Sequence, residues 1–128
     1  MTYLDSSVAL AHLLAEDRAP AITLWQDPLI SSRLLHYEMW TRIHASRLGR
    51  SHGDEVQALL ATVALVELTP PVLQRALEPF PVAVRTLDAL HLASIEFLRA
   101  HGQQIELASY DERMMEAARA LGVPIRAL

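Results

Sequence analysis

The sequence predicts an α/β domain in which a central, mainly parallel sheet of four to five strands is flanked by helices. Three observations lead there. Short β-prone runs alternate with amphipathic helical stretches, the pattern of strands joined by helical crossovers. Proline and glycine punctuate the chain at the borders of those runs, and no internal repeat, low-complexity tract or linker interrupts them. The 128 residues form one domain-sized unit, 1–128, able to bury roughly two-thirds of its unfolded surface.

Taken in order, Met1 to Leu4 reads as the first strand and Ser6 to Ala15 as the first helix, its apolar face supplied by Val8, Leu10, Ala11, Leu13 and Leu14. Asp5 then falls at the strand's carboxyl end. A second helix is expected from about Pro20 to Trp25, before Asp27-Pro28 breaks it. Leu29 to Ser32 is a weak strand, followed by a long helix from Leu34 to Leu48 that Gly49 ends. Asp54 to Leu65 reads as a helix passing into a strand at Val66-Glu67-Leu68; Val72 to Leu77 is a short helix closed by Pro79 and Pro81. Thr86 is expected to cap a helix running to Ala100. Ile105 to Ala108 is the next strand, Asp111 to Leu121 the last helix with Gly122 beyond it, and Val123 to Ala127 a final strand.

Composition removes several chemistries. There is no cysteine, which excludes disulfides, thiolate metal sites and a cysteine nucleophile. All 11 basic residues are arginines, so Schiff bases and lysine-dependent phosphate sites are excluded as well. The first residues read as a strand and helix rather than a signal peptide, and no apolar run approaches the ~18 residues of a membrane span; a cytoplasmic protein without a membrane partner is expected. A net charge of −4 argues against gripping nucleic acid over the whole surface, yet leaves room for a local arginine patch or a metal-mediated phosphate contact.

Four carboxylates, Asp5, Glu38, Asp88 and Asp111, stand at strand ends or on helices that an α/β fold could bring together. Each has a structural explanation when taken singly. Asp5 is placed to cap the first helix. Glu38 precedes Arg42 by four residues, the favourable orientation for a helical ion pair of roughly 0.3 kcal/mol. Asp88 lies in a first helical turn, where the macrodipole stabilises negative charge by about 0.5 kcal/mol. Ser109 and Glu112 fit a reciprocal capping box around Asp111. As a set, mutually repelling acids at the carboxyl edge of a parallel sheet point to a bound cation, because like charges raise one another's pKa unless something positive neutralises them.

His91 lies one turn beyond Asp88, at a spacing that suits a metal or a hydrogen bond, but Leu90, Leu92 and Ala93 around it favour a histidine buried by helix packing. His36, His44 and His52 show no HxxxH spacing. Arg42, Arg47 and Arg50 form either a phosphate-facing stripe or, as their helix suggests, a solvated face; Trp25 and Trp40 read as core or interface anchors.

Jointly, Tyr3-Leu4-Asp5-Ser6-Ser7, the Glu38-to-Arg42 E-x-x-x-R, Thr86-Leu87-Asp88-Ala89-Leu90-His91-Leu92-Ala93 and Ser109-Tyr110-Asp111 resemble the PIN domain family, and within it the VapC-type ribonuclease toxins of type II toxin-antitoxin pairs. The resemblance spans nearly the whole chain. It implies a PIN-like α/β domain and a metal-dependent endoribonuclease, with Asp5 and Asp88 as principal ligands of one or two Mg²⁺ or Mn²⁺ ions, Glu38 as a further ligand or supporting acid, and Asp111 as the fourth acid. Ser7 matches the small hydroxyl that orders such a site, Arg42 would position Glu38, and Ser109 stands where threonine is common. The implied partners are an RNA substrate, a cognate antitoxin protein and a second copy in a homodimer.

The residue chemistry agrees with that resemblance. Oxygen donors without sulfur or a histidine cluster suit hard Mg²⁺ or Mn²⁺, and a metal-activated water could attack phosphorus without a covalent protein intermediate. Two rivals stand beside it. One is an aspartate-dependent phosphatase with Asp5 as nucleophile, which calls for a second acid where this chain has Ser7. The other is a non-catalytic RNA- or protein-binding module, for which four mutually repelling carboxylates serve no purpose.

Overall fold

Four short strands, β1 (Thr2–Leu4), β2 (Leu29–Ser32), β3 (Val63–Val66) and β4 (Glu106–Ala108), pair in the order β3-β2-β1-β4, every neighbour parallel. The structure is a computed structural model that describes residues 1–128. Parallel neighbours cannot be joined by hairpins, so the chain returns through helices: α1 (Ser6–Leu13), α2 (Leu34–Ala45), α3 (Gly49–Ala61), α4 (Pro70–Ala76), α5 (Thr86–Ala100) and α6 (Glu112–Ala120). From β1 the chain builds outward through β2 and β3, then crosses back to lay β4 on the other side of β1.

The twofold alternation of strand side chains divides the core between the two sheet faces. Leu4, Leu29, Val63 and Ala108 face a cluster completed by α1, α2 and α3 through Val8, Leu35, Met39, Ile43, Val56 and Leu60. Tyr3, Ile30, Val66 and Leu107 face the opposite cluster, built from α5 and α6 with Leu92, Ile95, Leu98, Met114 and Ala117. On α2 the buried residues Leu35, Met39 and Ile43 recur every fourth position, forming one inward stripe. Glu38, three residues after Leu35, sits at the edge of that stripe.

Several borders differ from the sequence expectation, each for a local reason. The helix expected to run from Leu34 to Leu48 ends at Ala45, because Arg47 takes the left-handed conformation (φ 57°) and closes the end with main-chain bonds from Arg47 N to His44 O at 3.0 Å and Leu48 N to Ile43 O at 2.9 Å. Gly49 therefore opens α3 instead of ending α2, and β3 starts at Val63, three residues before the expected strand. The helix expected from Pro20 is a 3₁₀ segment at Ile22–Gln26. Thr86 is the first residue of α5, with Arg85 in the capping position and no side-chain cap. The final strand reduces to one parallel bridge, Leu107 to Ile125. Arg126 ties this tail to the sheet: its Nη1 donates to Thr2 Oγ1 at 3.1 Å, pairs with Asp27, and lies 3.6 Å from Glu106 Oε1.

Candidate active site at the sheet switch point

The strand order reverses direction between β1 and β4, and the crevice outside the carboxyl ends of two such strands is where open α/β sheets place ligands. Here β1 ends on Leu4 opposite Ala108 of β4, and Asp5 N donates to Ala108 O at 3.0 Å. Asp5 and Ser109, the next residue on each strand, are thereby brought side by side.

Asp5 does not cap α1 with its side chain. It is 7% exposed, and its Oδ2 accepts from Ser7 Oγ at 2.6 Å and Ser109 Oγ at 2.8 Å. Two neutral donors on one oxygen fix the carboxylate's orientation, while none engages Oδ1. The hydroxyls are themselves held: Ser7 Oγ accepts from Tyr110 N at 3.0 Å, and Ser109 Oγ from Asp111 N at 2.9 Å. Ser109 thus orders Asp5 and the following turn, and the expected capping box with Glu112 is replaced by Asp111 as the cap of α6, its Oδ1 accepting from Arg113 N and Met114 N. Asp111 is exposed.

Asp88 stands in the first turn of α5, half-buried. Burial raises its carboxyl pKa above the usual range, and the negative charges of Asp111 and then Asp5 raise it further; a main-chain hydrogen bond at Arg85 and the nearby His91 offset part of this. Asp88 therefore feels the charges of two of the other acids identified in the sequence. No three Asp, Glu or His side chains are arranged to hold a single metal ion in this structure; the acids share a field rather than a formed coordination shell.

Glu38 joins from α2, but its partners are not those its helix suggested. Ser6 Oγ donates to Glu38 Oε2 at 3.2 Å, and His91 Nε2 lies 2.5 Å from Glu38 Oε1. Arg42 turns away to Glu16 at 3.8 Å, both side chains well exposed. The i, i+4 ion pair is absent because Glu38, at the margin of the buried stripe, reaches across the crevice while Arg42 lies on the outer face of the helix.

His91 is the largest departure. It is buried, as its apolar neighbours predict, yet both ring nitrogens are engaged: Nδ1 lies 2.7 Å from Tyr3 Oη and Nε2 meets Glu38. Burial alone would lower the imidazole pKa; the hydrogen bond and charge of Glu38, with the fields of Asp5 and Asp88, outweigh it and hold the pKa above the ordinary value. Burial pushes the Tyr3 phenol strongly up, so it stays a neutral hydroxyl. Sequence reasoning placed Tyr3 and Ser6 in the string around Asp5 but gave neither a role at the site. Their only signals are adjacency to Asp5 and, for Tyr3, the strand alternation that aims it at α5.

Comparison with known proteins places the chain in a family. The model of the PIN domain matches residues 2–120. Ribonuclease VapC46 of Mycobacterium tuberculosis is 32% identical over 127 residues, covering 96% of this chain and 94% of that protein. Ribonuclease VapC35 of the same species is 28% identical over 129 residues, with 98% and 95% covered, and ribonuclease VapC47 is 25% identical over 130 residues, with 95% and 93% covered. A domain match over nearly all residues, with relatives aligned end to end, shows that this chain belongs to the PIN-domain family, in its VapC-type branch.

Proposed function

We propose that residues 1–128 form one PIN-like endoribonuclease domain that acts as the toxin of a toxin-antitoxin pair, hydrolysing RNA phosphodiester bonds at the crevice of Asp5, Glu38, Asp88 and Asp111. The observation that carries this reading is the switch-point crevice itself, where β1 and β4 bring Asp5 beside Ser109 and where burial first, then the charges of Asp111 and Asp5, disfavour the Asp88 anion. Such a field favours a cation. The donor set is entirely oxygen, apart from His91, and the chain has no cysteine, which fits Mg²⁺ or Mn²⁺ better than softer metals. Asp5, through its unengaged Oδ1, and Asp88 are the residues that would hold the ion, with Glu38 and Asp111 as further oxygen donors. When bound, such an ion offsets phosphate charge and lowers the pKa of nearby water.

The protein's own residues supply order and access. Ser7 and Ser109 keep the Asp5 carboxylate in one orientation, and Asp111 combines its capping role with a charge felt at Asp88. Names of the relatives support the ribonuclease activity. The VapC resemblance also supports an antitoxin partner and a homodimer, and no helix is long and apolar enough to cross a membrane.

Cleavage of RNA measured with Mg²⁺ or Mn²⁺, with EDTA, and for Asp5→Asn and Asp88→Asn tests the proposal. Loss of at least 100-fold in the folded variants, on the scale expected for removing a charged group that acts in the transition state, is the expected result. Undiminished cleavage by either variant, or in EDTA, overturns it.

A further inference from the structure

Glu38 is oriented by groups outside its own helix. Its two carboxylate oxygens are taken by separate donors, Ser6 Oγ on Oε2 and His91 Nε2 on Oε1. A carboxylate oxygen only accepts, so Nε2 carries the hydrogen in either protonation state of the ring. Behind it, Nδ1 is engaged by the hydroxyl of Tyr3, whose ring meets the imidazole edge-on at 83° with centroids 5.7 Å apart. Tyr3 lies in β1 and His91 in α5, and both side chains are buried. A planar ring bonded at both nitrogens cannot rotate without leaving buried polar atoms unpaired.

We propose that His91, locked by Tyr3, is the positioning residue that fixes Glu38 in the crevice, the part the sequence assigned to Arg42. This rests on the ribonuclease reading of the site. The guanidinium of Arg42 is exposed and pairs with Glu16, so it exerts no comparable hold. With two of about four lone-pair sites occupied by Ser6 and His91, Glu38 keeps roughly two for a cation or water, in a direction set by the imidazole. Partners that orient a metal-ligating side chain are worth about 10–100-fold in affinity or activity when removed.

The test compares wild type with His91→Leu, His91→Gln, Glu38→Gln and the His91→Leu/Glu38→Gln double variant. Binding of Mn²⁺ alone is measured by calorimetry without RNA, and cleavage is measured separately. His91→Leu is expected to weaken Mn²⁺ binding about 10-fold or more. His91→Gln, which retains an N–H near the Nε2 position, should recover most of it, and adding His91→Leu to Glu38→Gln should weaken binding no further. Arg42→Ala should cost less than His91→Leu. A metal-free crystal structure should show Glu38 displaced in His91→Leu and kept in His91→Gln. Wild-type Mn²⁺ affinity in His91→Leu, independent losses in the double variant, or an unmoved Glu38 overturns the clamp. If His91→Leu does not fold, Tyr3→Phe, which frees one ring nitrogen, takes its place: unchanged Mn²⁺ affinity and an unmoved Glu38 would overturn the proposal. A wild-type protein that neither binds Mn²⁺ nor cuts RNA overturns the ribonuclease reading instead, and the metal-free position of Glu38 then decides the clamp alone.

Discussion

Removing one hydroxyl, by Ser109→Ala, should measure how strongly Asp5 is held. Ser109 is 2% exposed and its Oγ makes two bonds, a donation to Asp5 Oδ2 at 2.8 Å and an acceptance from Asp111 N at 2.9 Å. A hydrogen bond to a charged group contributes about 1.5–3 kcal/mol. The Asp111 N–H belongs to an exposed turn where water can replace the lost acceptor, so its share is small. Asp5 is buried and has no such recourse, though Ser7 still serves it. The loss should therefore be about 2 kcal/mol. With an unfolding entropy of about 2.1 cal/mol/K per residue, a chain of this length changes by roughly 0.27 kcal/mol per kelvin, and Tm should fall by about 7 °C. Differential scanning calorimetry at neutral pH reads this directly, and cleavage should fall by about 10-fold as Asp5 loses its orientation. A Tm within about 2 °C of wild type, roughly 0.5 kcal/mol on the same scale, would refute the claim that Ser109 holds the carboxylate. Ser109→Thr keeps the hydroxyl and should lose less than Ser109→Ala.

The other perturbations separate activity from stability. Because burial, Asp111 and Asp5 raise the Asp88 pKa in the folded state, ionising Asp88 opposes folding; this cost is absent below the unfolded carboxyl value of about 3.9 and complete above the raised folded value. Asp88→Asn should therefore stabilise the metal-free protein at pH 7, by on the order of 0.5 kcal/mol after solvent screening, while abolishing cleavage. The gain should vanish as the pH falls below about 4; urea unfolding at both pH values that showed destabilisation at pH 7 would contradict the sign. Arg126→Ala removes the donor shared by Thr2, Asp27 and Glu106 and should lower stability by about 1–2 kcal/mol. A change under about 0.5 kcal/mol in the same experiment would show that the tail is not tied by that side chain.

The parallel sheet and the position of Asp5 at the end of β1 were legible because β-prone runs, turn residues and strand alternation are local signals, whereas Asp111 stands three residues past β4 as the cap of α6. The exact place of the break between α2 and α3, expected at Gly49, was not legible, since it depends on Arg47 adopting a left-handed conformation that its residue type does not announce. The site divides in the same way. Asp5-Ser6-Ser7 and Ser109-Tyr110-Asp111 are contiguous strings whose hydroxyls serve adjacent acids, so their grouping could be read from sequence. The contact between His91 and Glu38 spans 53 positions and that between Tyr3 and His91 spans 88. No periodicity encodes them, and the local pairing of Glu38 with Arg42 offered a plausible but wrong partner.

The neighbouring placement of β1 and β4 bears on how the protein is made. Asp5 is synthesised 104 positions ahead of Ser109. The hydrogen bond between them cannot form until the closing strand has been synthesised and has docked against the opening one. Folding of the earlier helices and of β2 and β3 can proceed meanwhile, but the crevice lacks one wall. A nascent chain that has not yet released β4 therefore lacks the hydroxyl that orients the Asp5 carboxylate.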